Sequence, residues 1–266
     1  MKIILIGAGN LATRLGIALK EAGEEVMQVY SRTEESASRL GHLLGVPWTI
    51  SLEQLYDGAD LYIASAKDAA LPHLIPQIVS KREKALFVHT AGSLPLSVWA
   101  GSATRYGVLY PMQTFSKERE VDFSSIPVFL EASSTKDLNL LHGLAGKLSR
   151  SVYEADSSQR QALHLAAVFA CNFTNYMYTV SEQLLTEAGL PFEVMLPLID
   201  ETAAKVHILK PEKAQTGPAM RYDENVIGKH LTALATHPAW QQLYEQISKN
   251  IHHDQLRLKE DKGNSL

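Results

Sequence analysis

Two patterns of apolar residues alternate along the first 155 positions. Short apolar runs rich in β-branched residues, typical of strands buried on both faces of a sheet, are separated by stretches with helical periodicity. Strands are predicted at 3–6, 25–30, 61–64, 85–88, 106–109, 127–130 and 151–154. Helices are predicted over 11–19, 34–44, 70–80 and 135–148. This alternation predicts an α/β fold with a doubly wound, mostly parallel sheet.

The pattern changes after Asp156. Long helical patterns follow over 157–188, 192–209 and roughly 225–255, with no predicted strand among them. We therefore predict an α/β domain over 1–156 and a smaller, all-helical domain over 157–266. The helical part carries more apolar surface than one small domain needs, which favours a homodimer built through it.

The composition narrows the class of protein. The chain has 266 residues, of which 45% are hydrophobic and 20% charged, as in ordinary soluble proteins. The net charge of −4 and the interspersed acids and bases argue against a nucleic-acid partner. No apolar run reaches the ~18 residues of a membrane span, and the run at 3–6 is too short for a signal peptide, so we expect a cytoplasmic protein.

The single cysteine, Cys171, cannot form an intrachain disulfide. We interpret it as a small core residue, with an activated thiol as the alternative.

The first strand is followed at once by the hexapeptide Gly-Ala-Gly-Asn-Leu-Ala, which starts at Gly7. Gly7 permits a tight turn, Gly9 lets backbone approach a pyrophosphate, and Ala12 allows close helix–strand packing. The next helix would offer the backbone amides of Asn10 and Leu11 to the phosphates. The alternative is an ordinary glycine turn, but the position between a strand and a helix favours a Rossmann-type dinucleotide site.

The end of the second predicted strand indicates which dinucleotide binds. NAD sites usually carry an acidic residue about 20 residues beyond the glycines, whereas this chain has Ser31, Arg32 and Thr33 there. A guanidinium flanked by two hydroxyls suits the 2′-phosphate of NADP(H), which an acid would repel. The alternative is a solvated Arg32 before a helix that Ser31 or Thr33 caps.

Two further loops follow predicted strands at their carboxyl ends, where ligands bind in open α/β sheets. Ser65, Ala66 and Lys67 form the first, and the second begins at His89 and ends at Gly92. We expect both to border the nicotinamide half of the cofactor. Lys67 and His89 are candidate proton donors, or else ordinary loop residues.

His164 and Asn172 lie on the apolar helix predicted over 157–188 and are spaced two helical turns apart. One interpretation places them in the core or at a domain contact, hydrogen-bonded to partners. The other places them in a cleft between the domains, facing the nicotinamide. There Asn172 would donate to a developing oxyanion, and His164 would pass a proton at neutral pH. No metal-binding pattern accompanies them.

Five stretches of the chain resemble a known family: GAGNLA at 7–12, HTAG at 89–92, YPMQTF at 110–115, HLAAVFACNF at 164–173 and TGPAMRYDENVIGKHL at 216–231. The chain resembles the NADP oxidoreductases that join a Rossmann-like domain to a helical C-terminal domain of unknown function. More distantly, it is similar to pyrroline-5-carboxylate reductase and to the 6-phosphogluconate and 3-hydroxyacid dehydrogenases. It departs from the family at Ala91, Tyr110 and Tyr222, where serine, histidine and glycine are usual.

The resemblance itself implies no particular substrate. The leading hypothesis is an NADP(H)-dependent oxidoreductase that acts on a small carbonyl, imine or hydroxyacid compound, with the cofactor supplying the hydride. A different class of function, a non-catalytic NADP(H)-binding sensor or scaffold, stays open because no unmistakable acid–base pair is present. Hydride exchange with a deazaflavin is a third hypothesis, which a large flat pocket beside the nicotinamide would favour.

Overall fold

The computed structural model describes residues 1–117 and 119–263. The chain divides into two compact units, Met1–Asn172 and Phe173–Leu266. Within the described ranges, no helix has both the length and the apolar character that crossing a membrane requires.

The first unit contains all the strands that are described. They are β1 (Lys2–Ile6), β2 (Glu25–Tyr30), β3 (Trp48–Thr49), β4 (Leu61–Ala64), β5 (Leu86–His89), β6 (Tyr106–Pro111), β7 (Val128–Ala132) and β8 (Val152–Glu154). Its helices are α1 (Asn10–Glu21), α2 (Glu34–Leu44), α3 (Leu71–Val79), α4 (Thr135–Leu148) and α5 (Ser157–Ala167). Short 3₁₀ turns lie at Leu52–Gln54, Leu96–Trp99 and Phe123–Ser125.

The strands form one sheet in the order β3-β2-β1-β4-β5-β6-β7-β8. Every neighbouring pair is parallel except β6 and β7, so β7 and β8 run opposite to the other six strands. The predicted mostly parallel, doubly wound sheet is confirmed. The reversal occurs between β6 and β7. The described residues of this connection, 112–117 and 119–127, contain no α-helix, and only a parallel connection needs a crossover helix.

Both faces of the sheet are covered, which explains the continuous apolar runs of the strands. On one face, alternate strand residues such as Ile3 and Leu5 pack with α1, α2 and α4. On the other, residues such as Ile4 and Ile6 pack with α3 and the buried ring of Trp99.

The second unit is helical. Its elements are α6 (Thr174–Glu187), a 3₁₀ turn at Phe192–Met195, α7 (Leu196–Lys205), α8 (Pro211–Ala214), α9 (Pro218–Arg221), α10 (Glu224–Ala233) and α11 (Pro238–Gly263). A π-helical segment, Val168–Phe173, connects α5 to α6. The single helix predicted over 225–255 is wrong, because the chain breaks between α10 and α11, where Pro238 starts a new helix. Tyr222 has a left-handed φ of 52°.

Candidate active site

The glycine turn joins β1 to α1 as the hexapeptide predicts. Gly7 has a φ of +113°, and a Cβ there would lie 2.6 Å from the carbonyl oxygen of Ser65. Gly9 precedes α1, and a Cβ there would meet nothing within 4 Å. No side chain caps the first turn of α1, so its amides are available to an anion. These features fit a dinucleotide pyrophosphate.

A distant segment is bound to the same turn. The side-chain amide of Asn10 donates to the carbonyl oxygen of Phe115 at 2.8 Å. Arg14 Nε donates to the carbonyl oxygen of Ser116 at 3.2 Å, and its Nη2 donates to that of Lys117. One side-chain N–H of Asn10, which was predicted to contact the cofactor, is therefore engaged within the protein. The sequence held no signal for this contact, because it joins residues about a hundred positions apart.

The end of β2 lies beside the glycine turn, since Gly7 N–H donates to the carbonyl oxygen of Tyr30 at 2.8 Å. Arg32 is exposed and makes no ion pair with any described residue. Thr33 precedes α2, and its hydroxyl does not cap the helix. An unpaired guanidinium with the hydroxyls of Ser31 and Thr33 on either side fits a 2′-phosphate.

The loops after β4 and β5 meet. The hydroxyl of Thr90 donates to that of Ser65 at 3.1 Å, and Thr90 N–H donates to the carbonyl oxygen of Ala64 at 3.2 Å. Ser65 and Ala66 are half-buried next to the glycine turn, whereas Lys67 is exposed. The loops predicted to border the nicotinamide therefore lie together.

His89 ends β5 inside the core. Its side chain is fully buried, and its ring is stacked on that of Trp99 with a centroid separation of 6.4 Å. Nδ1 accepts a hydrogen bond from Ala91 N–H at 3.2 Å. Burial, and then the positive charge of Arg160, lower the pKa of His89 to about 4, so the imidazole is neutral at pH 7.

Arg160, which the sequence reasoning did not single out, is fully buried on α5. Its guanidinium donates to the carbonyl oxygens of Ala91 at 3.3 Å and Leu94 at 2.6 Å. It also forms an ion pair with the carboxylate of Glu131 on β7. These bonds join the loop after β5 to α5.

Other side chains in the first turns of α5 bind the same loop. Gln161 donates to the carbonyl oxygen of Ser93 at 3.1 Å, and the hydroxyl of Ser157 accepts from Leu96 N–H at 2.9 Å. Together with Arg160, they fix the path of the loop backbone.

A cavity of about 660 Å³ lies at the carboxyl ends of β5 and β6. Its lining residues come from the loop after β5, the end of β6 and the chain beyond it, α5 and the π-helical segment, with two further residues, Leu11 and Asp68. His164 and Asn172 both line it. The carboxylate of Asp68 accepts a hydrogen bond from the hydroxyl of Ser93.

The π-helical segment helps to bring His164 and Asn172 to one cavity. In a regular α-helix, eight residues advance about 80° beyond two full turns. A π turn takes in one more residue than an α turn, so the segment Val168–Phe173 reduces that excess. Both side chains are exposed. Cys171, also in the segment, is exposed and lines the cavity, so its interpretation as a core residue is wrong.

Tyr110, Gly92 and His164 converge on one wall of the cavity. A Cβ at Gly92 would lie 2.8 Å from Tyr110 Cζ, 2.9 Å from its hydroxyl oxygen and 3.0 Å from His164 Cβ. No side chain fits at position 92 without displacing one of them. Tyr110 is only 8% exposed, and burial raises its pKa, an effect that the charge of Arg160 partly opposes.

Comparison with known proteins agrees with this geometry. Residues 2–92 match a family described as NADP oxidoreductase, coenzyme F420-dependent, and residues 126–251 match a domain of unknown function, DUF2520. The crystal structure of the putative NADP oxidoreductase BF3122 from Bacteroides fragilis is 59% identical, with a TM-score of 0.92, over 95% of this chain and 98% of that one. The chain belongs to this family of NADP oxidoreductases. The predicted cofactor, NADP(H), is confirmed with the family.

More distant structures share the fold alone. Protein TM1727 from Thermotoga maritima is 21% identical, with a TM-score of 0.78 over 95% of this chain and 99% of that one. The 1-pyrroline-5-carboxylate reductase of Streptococcus pyogenes is 16% identical, with a TM-score of 0.59 over 95% and 98%. No curated protein matches the chain.

Proposed function

We propose that this oxidoreductase transfers a hydride between NADP(H) and a small carbonyl, imine or hydroxyacid compound bound in the 660 Å³ cavity. The observation that carries the proposal is the position of the cavity. It opens where β5 and β6 end, and Leu11 of the phosphate-binding turn is part of its wall. A substrate there lies at the edge of the sheet where cofactors of open α/β sheets bind.

His164 and Asn172 are the candidates for contact with the substrate, because both are exposed and line the cavity. An amide such as that of Asn172 can stabilise developing negative charge on an oxygen, and an imidazole can exchange protons with water near neutral pH. Lys67 and His89 have weaker support. Lys67 is not among the residues that line the cavity, and the neutral, buried ring of His89 accepts a hydrogen bond from the backbone at Ala91.

The test measures NADPH oxidation against a panel of aldehydes, ketones, cyclic imines, 2-oxoacids and a deazaflavin. The deazaflavin is included because the family description names coenzyme F420. Turnover with a member of the panel supports the proposal. Tight NADPH binding without any turnover would instead favour the sensor or scaffold function.

With a substrate found, His164→Ala and Asn172→Ala should each lower turnover at least about tenfold, the low end for lost acid–base or oxyanion help. NADPH affinity should stay within about twofold of the wild type, because neither residue belongs to the phosphate-binding turn. His73→Ala and Asn139→Ala, at exposed positions on α3 and α4, are the matched controls. Wild-type turnover in both cavity variants would remove these residues from the mechanism.

A further inference from the structure

Tyr110 is a polar residue of the cavity wall whose hydroxyl is not engaged by the described part of the protein. Its ring is buried at the end of β6, between the ring of Phe129 and the backbone of Gly92. The hydroxyl makes no hydrogen bond with the described residues, yet it is not enclosed, because Tyr110 lines the cavity. A tyrosine hydroxyl in such a place usually has a partner, and a molecule bound in the cavity can provide one.

The position of this hydroxyl is fixed from several sides. Gly92 leaves room for the ring because it has no Cβ, and Arg160 holds the backbone on either side of Gly92 through Ala91 and Leu94. A positioned acid is effective because the proton is already at the right place when the reaction begins.

We propose that Tyr110 is the proton donor of this oxidoreductase and that its substrate is an uncharged aldehyde or ketone. This inference rests on the proposed function and names the substrate class of the same cavity. NADPH, when bound at the glycine turn that follows β1, would supply the hydride to the carbonyl carbon and would be oxidised to NADP⁺. The Tyr110 O–H bond breaks, its proton goes to the carbonyl oxygen, and the product is the alcohol. The phenolate then regains a proton from His164 or from water in the cavity.

The need for an acid favours a carbonyl over an imine. A carbonyl oxygen has to receive a proton during reduction, whereas an imine nitrogen can arrive already protonated. A buried phenol suits the first task, because burial raises the pKa of Tyr110 and keeps its proton in place at neutral pH. The cation near it, Arg160, is already paired with Glu131.

The charges of the wall disfavour a hydroxyacid or oxoacid. The described residues that line the cavity include no lysine or arginine, and their one carboxylate belongs to Asp68. A carboxylate on the substrate would therefore meet a like charge and no permanent cation, since the one other ionisable nitrogen of the wall belongs to the imidazole of His164. An uncharged carbonyl compound avoids both problems.

The experiment compares wild type with Tyr110→Phe, which keeps the ring and removes only the hydroxyl. Tyr153→Phe, at an exposed position on β8, is the matched control. NADPH oxidation is measured with hexanal, cyclohexanone, pyruvate and 1-pyrroline as probes. We expect the wild type to favour the uncharged carbonyls over pyruvate and 1-pyrroline. Tyr110→Phe should lower kcat for them at least about a hundredfold, the usual size of an acid's contribution, with NADPH affinity unchanged.

Two further measurements distinguish a Tyr110 that donates a proton from a Tyr110 with a purely structural role. The wild-type kcat/KM should stay level from about pH 6 to 9, because a phenol stays protonated there, whereas an imidazole donor would lose activity above its ordinary pKa of ~6.5. Burial raises the pKa of both Tyr62 and Tyr110. A spectrophotometric titration of the cofactor-free protein at high pH should therefore show a group of tyrosines that ionises above the ordinary value near ~10, and Tyr110→Phe should remove one tyrosine from this group.

Wild-type rates in Tyr110→Phe, or turnover of 1-pyrroline or pyruvate but of neither uncharged carbonyl, would overturn the proposal and leave an oxidoreductase with another donor or substrate. A wild type that binds NADPH and reduces none of the four probes would count against the proposed function as well. Loss of NADPH affinity in Tyr110→Phe would show a positional effect and would also overturn the acid role.

Discussion

Arg32 stands at the end of β2 with its charge unpaired, beside a helix that begins without a side-chain cap. Glu34 and Glu35 follow in the first turn of α2, but neither forms an ion pair with it. A guanidinium that is neither paired nor buried contributes little to folding. Its charge is instead available to a phosphate, and we expect it to distinguish NADP(H) from NAD(H).

Arg32→Asp should weaken NADPH binding by about 1.5–3 kcal/mol, the worth of hydrogen bonds to a charged group, and should spare NADH. Titration of each nucleotide by fluorescence measures the difference. Arg39→Asp makes the same change of charge at an exposed position further along α2 and should leave both affinities nearly unaltered. Equal affinity of the wild type for NADPH and NADH would contradict the expectation.

The sequence predicted residues whose role depends on the backbone around them. Gly7 was found because the tight turn requires a positive φ, and Gly9 because backbone must come close to a pyrophosphate. Tyr110 was less accessible, because its importance depends on Gly92 and on α5, which come from other parts of the chain. His89 was proposed as a proton donor without knowledge of its burial, which only the packing around Trp99 reveals.

At the scale of elements, α5 is joined to the loop after β5 by side-chain hydrogen bonds to the loop backbone. Arg160 and Glu131 form an ion pair in which the arginine side chain is 1% exposed and the glutamate 17%. Removal of one partner of such a pair leaves the other charge without compensation, which costs much more than the intact pair contributes. The pair therefore keeps the cavity wall in one arrangement.

Glu131→Gln should lower the free energy of unfolding by about 3 kcal/mol, because the guanidinium of Arg160 stays buried without its counter-ion. Urea denaturation followed by circular dichroism measures the change. Arg150→Gln disrupts the fully exposed pair with Asp122 and should change the stability by less than about 0.5 kcal/mol. Similar small losses in both variants would mean that the buried pair does not hold the loop.

Helices and strands were predicted correctly where the spacing of apolar residues within the segment itself identifies them. The helices α2 and α4 begin and end where the sequence placed them, and most strands agree within two residues. The two-residue strand β3 was missed, because so short a run has no period. The direction of β7 was not accessible either, since a strand pattern carries no orientation relative to its neighbour. The π-helical segment adds one residue to a turn without changing the apolar pattern that identified the helix.

At the scale of the whole molecule, the helical unit Phe173–Leu266 has many large apolar side chains exposed. Ile208 is 85% exposed and Leu198 57%, and similar exposure is found at Leu190, Val194 and Val206. Soluble monomers seldom expose contiguous apolar patches of large area, so these side chains favour an additional contact surface.

We therefore expect a homodimer formed through the helical part of the chain. Light scattering at micromolar concentration should report twice the chain mass of 29.4 kDa, and the mass should hold on tenfold dilution. A monomer at micromolar concentration would rule out a stable dimer.

The hydrogen bonds that join α1 to the segment after β6 affect the order in which the NADP(H) site forms during synthesis. Gly7 is synthesised before Tyr30 and Ser65, which its turn contacts, and Asn10 is synthesised about a hundred residues before Phe115, whose carbonyl oxygen it binds. Contacts between such distant residues are the slow part of folding. In a nascent chain that ends before β6, the glycine turn therefore lacks the segment that binds Asn10 and Arg14, and the NADP(H) site is incomplete. NADP(H) therefore stabilises the completed unit by mass action and does not direct its folding.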